Sequence, residues 1–401
     1  MIKTLFGLDK KGGFKVWTIE TDEQGLLTIR HGKEGGKMQV KSEVVKVKNV
    51  GRANQTTLGQ QAENEALGRI KKQEDKGYRE NKENLGALPV LPMLAGDYNK
   101  IGHRIWEKGQ GVWGSDKLDG VRCMAKKQDG VVVLESRTGQ PYSLPHVIEE
   151  LQRTMREGEV LDGELYLHGY ALQDITSAVK RTDTQAKIDE EHLKLQKMGT
   201  VVVGYEGKAW LDQKAALDEA EMIHELRQKL QFIIFDTVTE DEFKFRLVAL
   251  DKVATRFADV GSQYVSVIEY YIVVDDDHLR NVLHPDAVRR GFEGVMLRCA
   301  MGMYESGKRS AYLQKYKTFL DSEFRVIGTT LDKEGLIVFV CANDVNDEDF
   351  TVILGSKEQK MTWALTPDAF TDKMLTVKYQ TRYKGTLLPQ FPTGVAFRDY
   401  E

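Results

Sequence analysis

The chain has only three cysteines, Cys123, Cys299 and Cys341, among 401 residues. They lie far apart and form no C-x-x-C pair, which argues against a zinc site and fits a reducing compartment. No apolar run approaches the roughly 20 residues needed to cross a bilayer, so no membrane partner is expected. The N-terminus, MIKTLFGLDKKGGFK, has no apolar stretch of signal-peptide length, and a cytoplasmic location follows as the expectation. No internal repeat is visible. A strong excess of one charge is also missing: the formal net charge is −4, which by itself signals no nucleic-acid partner.

What is present is the composition of a globular protein, 41% hydrophobic and 29% charged. The length exceeds one ordinary core and implies two or three domains. Charge is unevenly spread. Between Thr28 and Gln55 stand Arg30, Lys33, Lys37, Lys41, Lys46, Lys48 and Arg52 against Glu34 and Glu43, a local excess of five positive charges. Such a patch attracts phosphates, although a lysine-rich solvated strand face reads the same way. Residues 1–84 show short strands (FKVWTIETDE, GLLTIRHG, MQVKSEVVKV) and then a helical stretch, LGQQAENEALGRIKKQEDKGY. RENKENLGALPVLP, around 85–92, reads as a linker. From 93 to 320, VVVLESR, GEVLDGELYL, FIIFDTV and EGVMLRC are strand-like and AALDEAEMIHELRQKLQ is helical. Residues 321–401 are strand-dominated, with turn signals between the strands, and suit a small OB-type barrel.

The stretch GSDKLDGVR, residues 114–122, crowds Lys117, Asp119 and Arg122 around Gly120. Asp-Gly alone suggests a solvated hairpin turn. A nucleophilic lysine is the alternative, provided that nearby cations favour its free base. Lys315 and Lys317 in YLQKYK share one face of a strand and supply fixed positive charge. Glu164 in LDGELY and Glu293 in FEGVMLR are oxygen ligands for a hard cation such as magnesium. Together these are the parts for transferring a nucleotide onto nitrogen, chemistry that runs on positioning and electrostatics. Each part also has a plainer reading: Phe235 as core, the glutamates as strand-end ion pairs, the lysines as an exposed face, Arg137 as a turn residue.

K-x-D-G-x-R at 117–122 resembles the nucleotide-attachment motif of the covalent nucleotidyltransferases: ATP-dependent DNA ligases, RNA ligases and capping enzymes. Chance alone gives four such fixed positions with a probability of roughly one in a few hundred. SRTG (136–139), LDGELY (161–166), FIIFD (232–236), EGVMLR (293–298) and YLQKYK (312–317) then follow in the family's order. By this resemblance Lys117 becomes adenylylated, Asp119 shapes its loop, and Arg122 binds the nucleotide or the 3′-OH strand end. Arg137 contacts the AMP phosphate and later the 5′-phosphate of the nick. Glu164 binds the ribose and ligates metal, Phe235 stacks on adenine, Glu293 ligates metal, and Lys315 and Lys317 grip the α-phosphate. Arg246 is a weaker candidate. The family glutamate two residues before the lysine is Ser115 here, which loosens the choice of ATP over another nucleotide.

GMYESGKR (302–309) nearly matches a P-loop but has Arg309 where a hydroxyl is required, and no helix pattern follows it. It reads as a basic loop feeding the lysine pair, with Arg309 a DNA-contact candidate. The ending MLTVKYQTRYKGTLLPQFPTGVAFRDYE resembles the OB domain of small phage and bacterial ATP-dependent DNA ligases, which makes Arg398 and Asp399 closure or DNA-contact candidates. RHGKEGG with the downstream K-G-Y resembles WGR domains, with His31-Gly32-Lys33 in place of W-G-R.

The resemblance thus implies an α+β protein: a small N-terminal, WGR-like accessory domain (1–84), a linker (85–92), an ATP-grasp-like nucleotidyltransferase domain (93–320) and an OB-fold β-barrel (321–401). It implies an ATP-dependent DNA ligase acting as a monomer on nicked duplex DNA with ATP and Mg2+, in the host cytoplasm if phage-encoded. An RNA ligase or a non-catalytic DNA-binding protein are the alternatives at this stage.

Overall fold

The computed structural model describes residues 1–9, 12–85, 90–107, 111–198, 208–383 and 385–398. The chain divides into two compact units, one of residues 1–274 with 296–314 and one of residues 275–295 with 315–401.

The first unit begins with an antiparallel meander of β1 (Ile2–Leu8), β2 (Phe14–Thr21), β3 (Leu26–Lys33) and β4 (Gln39–Val44). Alternation in these strands sends Leu5, Trp17, Ile19 and Leu27 to one face, where they meet Ala62, Ala66 and Ile70 of the helix Leu58–Glu74. That helix starts at a capping box. Thr57 Oγ1 accepts from Gln60 N at 3.2 Å, and Gln60 Oε1 accepts from Thr57 N at 3.0 Å. Thr57→Ala removes one orphan-donor partner and is expected to destabilise the unit by about 1 kcal/mol, read as a lowered urea midpoint. An unchanged midpoint contradicts the cap's role.

Two further sheets follow. A five-stranded one runs β13 (Tyr271–Val273), β6 (Val112–Lys117), β14 (Gly294–Cys299), β15 (Arg309–Tyr316), β5 (Leu94–Asp97). A six-stranded one runs β12 (Val265–Val267), β11 (Gln231–Thr237), β10 (Val160–Tyr166), β7 (Val121–Gln128), β8 (Val131–Ser136), β9 (Pro141–Tyr142). The central strands β10, β11 and β7 bury Leu161, Leu165, Phe232, Ile234, Met124 and Ala125. Helices at 145–154, 172–180, 184–197 and 243–259 are ones the sequence reading did not set out, and the expected helix spans Lys208–Lys229. No described helix is long and apolar enough to cross a membrane.

The second unit contains a sheet in the order β18 (Asp349–Val352), β17 (Ile337–Ala342), β16 (Leu320–Leu331), β19 (Met374–Tyr379), β20 (Thr393–Phe397). The long strand β16 pairs with β19 through Leu320–Arg325 and with β17 through Val326–Leu331. A register break between Val326 and Gly328 divides the two halves. Such a bulge bends the strand and curls the sheet. Its two edges meet at one parallel bridge, Ile353 with Thr393, so the sheet is an open, nearly closed barrel with the strand order of an OB fold. Phe324, Phe339, Phe350, Phe370 and Tyr379 fill it.

Candidate active site

Lys117 is the last residue of β6. Three residues on, the chain turns back at Gly120. A Cβ there would lie 2.5 Å from the Leu165 carbonyl and 2.8 Å from Glu164 Cγ, so only glycine lets the lysine loop approach β10. The register places Glu164 opposite Arg122. The loop thereby carries the chain from Lys117, at the end of β6, to the central β7–β10 ladder, where Arg122 and Glu164 stand opposite each other. Tyr166, on the same strand as Glu164, has its phenol pushed up to about 12 by burial and then by the charges of Asp119 and Asp116.

Phe235 owes its orientation to a bulge. In the β10–β11 ladder Asp162 pairs with Asp236, but Gly163 pairs with Ile234, leaving Phe235 without a register partner. Bulges re-aim side chains in this way. The freed carbonyl of Phe235 accepts from Tyr270 Oη and from Arg298 at 3.2 Å. The ring is half-buried, with the Arg122 guanidinium 4.5 Å and that of Arg298 5.4 Å from its centroid.

These two guanidinium groups stand against two buried carboxylates, Asp162 and Asp236, that sequence reasoning did not single out. Arg122 donates from Nε and from a terminal nitrogen to the two oxygens of Asp162, both at 2.6 Å, and also to the Met93 carbonyl at 3.1 Å. Asp162 is fully enclosed and accepts a third bond from Tyr304 Oη at 2.6 Å. Burial opposes the charge on Arg122, but Asp162 outweighs it and the guanidinium pKa is raised. Asp236, equally enclosed, binds Arg246 Nε at 2.8 Å, with Arg298 Nε 3.6 Å away. Arg246 also donates to the carbonyls of Asp241 and Gly302 at 2.7 and 2.9 Å, so it is an enclosed strut at 1% exposure rather than a surface cation. The aspartates stood inside LDGELY and FIIFD, but nothing in the linear sequence marked their partners.

The other expected residues lie as follows. Arg137 is exposed on the turn after β8, where Ser136 N and Gly139 N close the backbone bonds. Beside it a cavity of about 550 Å3 is lined by Ser136, Thr138, Gln140, Tyr142, Ser143 and Lys180, among others. Arg309 donates to the Ala95 carbonyl, and its loop is pinned to residues 91–93 through Ser306 and Tyr304. In the second unit, Gly294 has φ +155°, and a Cβ would meet the Tyr316 carbonyl at 2.3 Å. That close approach sets Glu293 against Lys317, whose Nζ lies 2.5 Å from Glu293 Oε1 and 2.5 Å from Gln380 Oε1. Lys315 is half-buried in β15. Arg398 pairs with Glu323 at 2.7 Å, and Asp399 falls outside the described residues. Among the described residues no group of three or more His, Cys, Asp or Glu could hold a metal by itself.

These elements carry the signature of one family. A family model described as the ATP dependent DNA ligase domain matches residues 92–317, more than half of the chain, and the chain belongs to the ATP-dependent DNA ligases. It is 28% identical over 380 residues to the DNA ligase of a Kenyan pig isolate of African swine fever virus, covering 89% of this chain and 79% of that protein. For the DNA ligase of a Namibian warthog isolate the identity is 29% over 376 residues, with the same coverage. Among solved structures, Pmar-Lig_Pre is similar with a TM-score of 0.60 at 18% identity, over 84% of this chain and 72% of that one. A Lig E DNA ligase is similar with a TM-score of 0.54 at 20% identity, over 78% of this chain and all of that one. The fold is a mixed α+β nucleotidyltransferase with an OB-fold domain.

Proposed function

We propose that this DNA ligase seals nicks in duplex DNA through a lysyl-AMP at Lys117. The observation that carries the reading is the family match over 92–317, which contains the whole ordered series from Lys117 to Lys317. In the first step the Lys117 amine attacks the α-phosphorus of ATP; a P–N bond forms, the bond to the bridging oxygen breaks, and pyrophosphate leaves. In the second, an oxygen of the DNA 5′-phosphate attacks the same phosphorus and the lysine departs as an amine. In the third, the 3′-OH loses its proton and attacks the 5′-phosphorus, closing the phosphodiester and releasing AMP.

The roles proposed are those the motif resemblance gives, residue by residue. Phe235 stacks on the base, which its half-exposed ring allows, and Glu164, across from Arg122 in the β7–β10 ladder, binds the ribose. Arg137, exposed beside a hydroxyl-lined cavity, serves the AMP phosphate and then the 5′-phosphate. Lys315 and Lys317 hold the α-phosphate. Asp119 shapes the lysine loop, and Arg122 acts through its hold on the Phe235 ring. Arg309, Arg398 and Asp399 remain the DNA-contact and closure candidates.

Magnesium is held by one or two carboxylates with substrate phosphates supplying the rest, and Glu164 and Glu293 are hard oxygen donors of that kind. It offsets negative charge on the phosphates when bound. The boundaries 1–84, 85–92, 93–320 and 321–401 divide the work. The N-terminal, WGR-like piece has its own core and carries Lys37, Lys46 and Arg52 exposed, which supports an accessory DNA-binding role. A monomer working in the cytoplasm, a host's if phage-encoded, completes the reading.

The test is direct. Protein stripped of bound AMP, incubated with α-labelled ATP and magnesium, is expected to take up label and to pass it to the 5′-phosphate of a nicked duplex. Label that never leaves for DNA, or no label, overturns the proposal.

A further inference from the structure

The 302–308 loop contributes no residue to the chemistry above, yet it is fastened to the site from within. Tyr304 Oη accepts from Met93 N at 3.2 Å and donates to Asp162 Oδ2 at 2.6 Å. The same carboxylate takes two of the three bonds that Arg122 donates, and Arg122 lies 4.5 Å from the Phe235 ring centroid. The Tyr304 ring is itself covered by Arg246, 5.7 Å away, whose terminal nitrogen holds the Gly302 carbonyl. The loop, the aspartate, the arginine and the aromatic ring are therefore one chain of contacts, with Tyr304 at its far end.

We propose that Tyr304 is a positioning residue for the nucleotide: through Asp162 its hydroxyl fixes the Arg122 guanidinium against Phe235 and so sets the surface on which the base stacks. This rests on the ligase reading above. The physical reason is that an enclosed carboxylate has few ways to satisfy its oxygens. With Tyr304 donating, Asp162 is held by three hydrogen bonds in a single arrangement, and the planar fork of Arg122 follows it. Without that donor the carboxylate turns to recover a partner, and the guanidinium over the ring turns with it. Burial, and then the neighbouring carboxylate, raise the Tyr304 pKa above the ordinary phenol value, so the hydroxyl remains a donor across the working pH range.

The experiment is single-turnover adenylylation of AMP-stripped protein at varied ATP, comparing wild type with Tyr304→Phe, which keeps the ring and loses only the hydroxyl. The half-saturating ATP concentration is expected to rise about ten-fold, the scale of a hydrogen bond to a charged group, while the maximal labelling rate stays within about two-fold. A loop that only supports the fold would instead lower the labelled fraction and leave half-saturation where it was. Ser306→Ala is the control within the same loop, since Ser306 Oγ bonds the Leu91 backbone and not Asp162; its half-saturation is expected to match wild type. In an Arg122→Gln background, Tyr304→Phe is expected to add no further change. The proposal fails if Tyr304→Phe leaves half-saturation unmoved, if Ser306→Ala moves it equally, or if the two effects multiply in the double variant. Absence of label on wild type overturns the ligase reading itself, a result distinct from all of these.

Discussion

Lys117→Ala is expected to abolish covalent uptake of AMP, cutting labelling from α-labelled ATP by about a thousand-fold or more, as removal of a nucleophile does. The reason lies in the bond to be made. A phosphoramidate needs an amine with a free electron pair placed in line with the departing pyrophosphate, and Lys117 is the amine at the end of β6 on the turn that Gly120 allows. Lys117→Arg is expected to fail equally, because a guanidinium stays protonated near neutrality. The closing step makes a different demand. Given a nick already carrying AMP on its 5′-phosphate, the attacking group is the 3′-OH, so Lys117→Ala is expected to retain measurable sealing of pre-adenylylated DNA. That contrast separates loss of the nucleophile from loss of the fold. Label retained by Lys117→Ala removes the residue from its role. Loss of sealing on the pre-adenylylated nick, in a variant with wild-type melting behaviour, shows that Lys117 does more than bear AMP.

The motif residues of this chain stood out in the sequence more than the groups that hold them, and the reason is physical. The family's motifs are short runs near strand ends, so Lys117, Glu164, Phe235 and Glu293 stood out as candidates in order along the sequence. The groups that hold them are joined across long separations. Tyr304 reaches Asp162 across 142 residues and Arg298 reaches the Phe235 carbonyl across 63, and no local pattern encodes either bond. The Phe235 bulge is equally silent, since it comes from a mismatch between two strands and not from any residue within one. The GMYESGKR stretch was rightly set apart from a P-loop, but its inward-facing tyrosine emerges only when the loop folds onto residues 91–93.

The basic patch shows the converse. Its composition was plain, but Arg30 pairs with Glu20 at 2.7 Å, Lys33 with Asp9 at 2.7 Å, and Lys41 with Glu43 at 3.5 Å. Part of the apparent excess is therefore answered by carboxylates, two of them outside the window counted. The strand β1 went unnoticed because IKTLFGL has no turn signal ahead of it, and so did β20, whereas β16 to β19, bounded by turn residues, stood out.

The buried pair of Arg246 and Asp236 carries the second large expectation, on stability. Both side chains are at 1% exposure, and Arg246 satisfies Asp236, the Asp241 carbonyl and the Gly302 carbonyl together. Arg246→Ala leaves a charge with its nearest remaining cation, Arg298 Nε, 3.6 Å away, removes the donor from two carbonyls, and opens a cavity the size of a long side chain. Breaking a buried pair from one side costs about 3–5 kcal/mol, far above the typical surface substitution. The expected reading is a matching fall in the urea midpoint of the transition that unfolds this unit. Arg246→Lys is expected to recover only part of it, because an ammonium cannot reach the carboxylate and both carbonyls with one planar fork. Replacing the pair together, Arg246→Met with Asp236→Leu, is expected to be less damaging than Arg246→Ala, since no charge is then stranded. A loss under about 1 kcal/mol in Arg246→Ala would mean that Arg298 swings in to take over Asp236, and that Arg246 is not the strut holding that carboxylate.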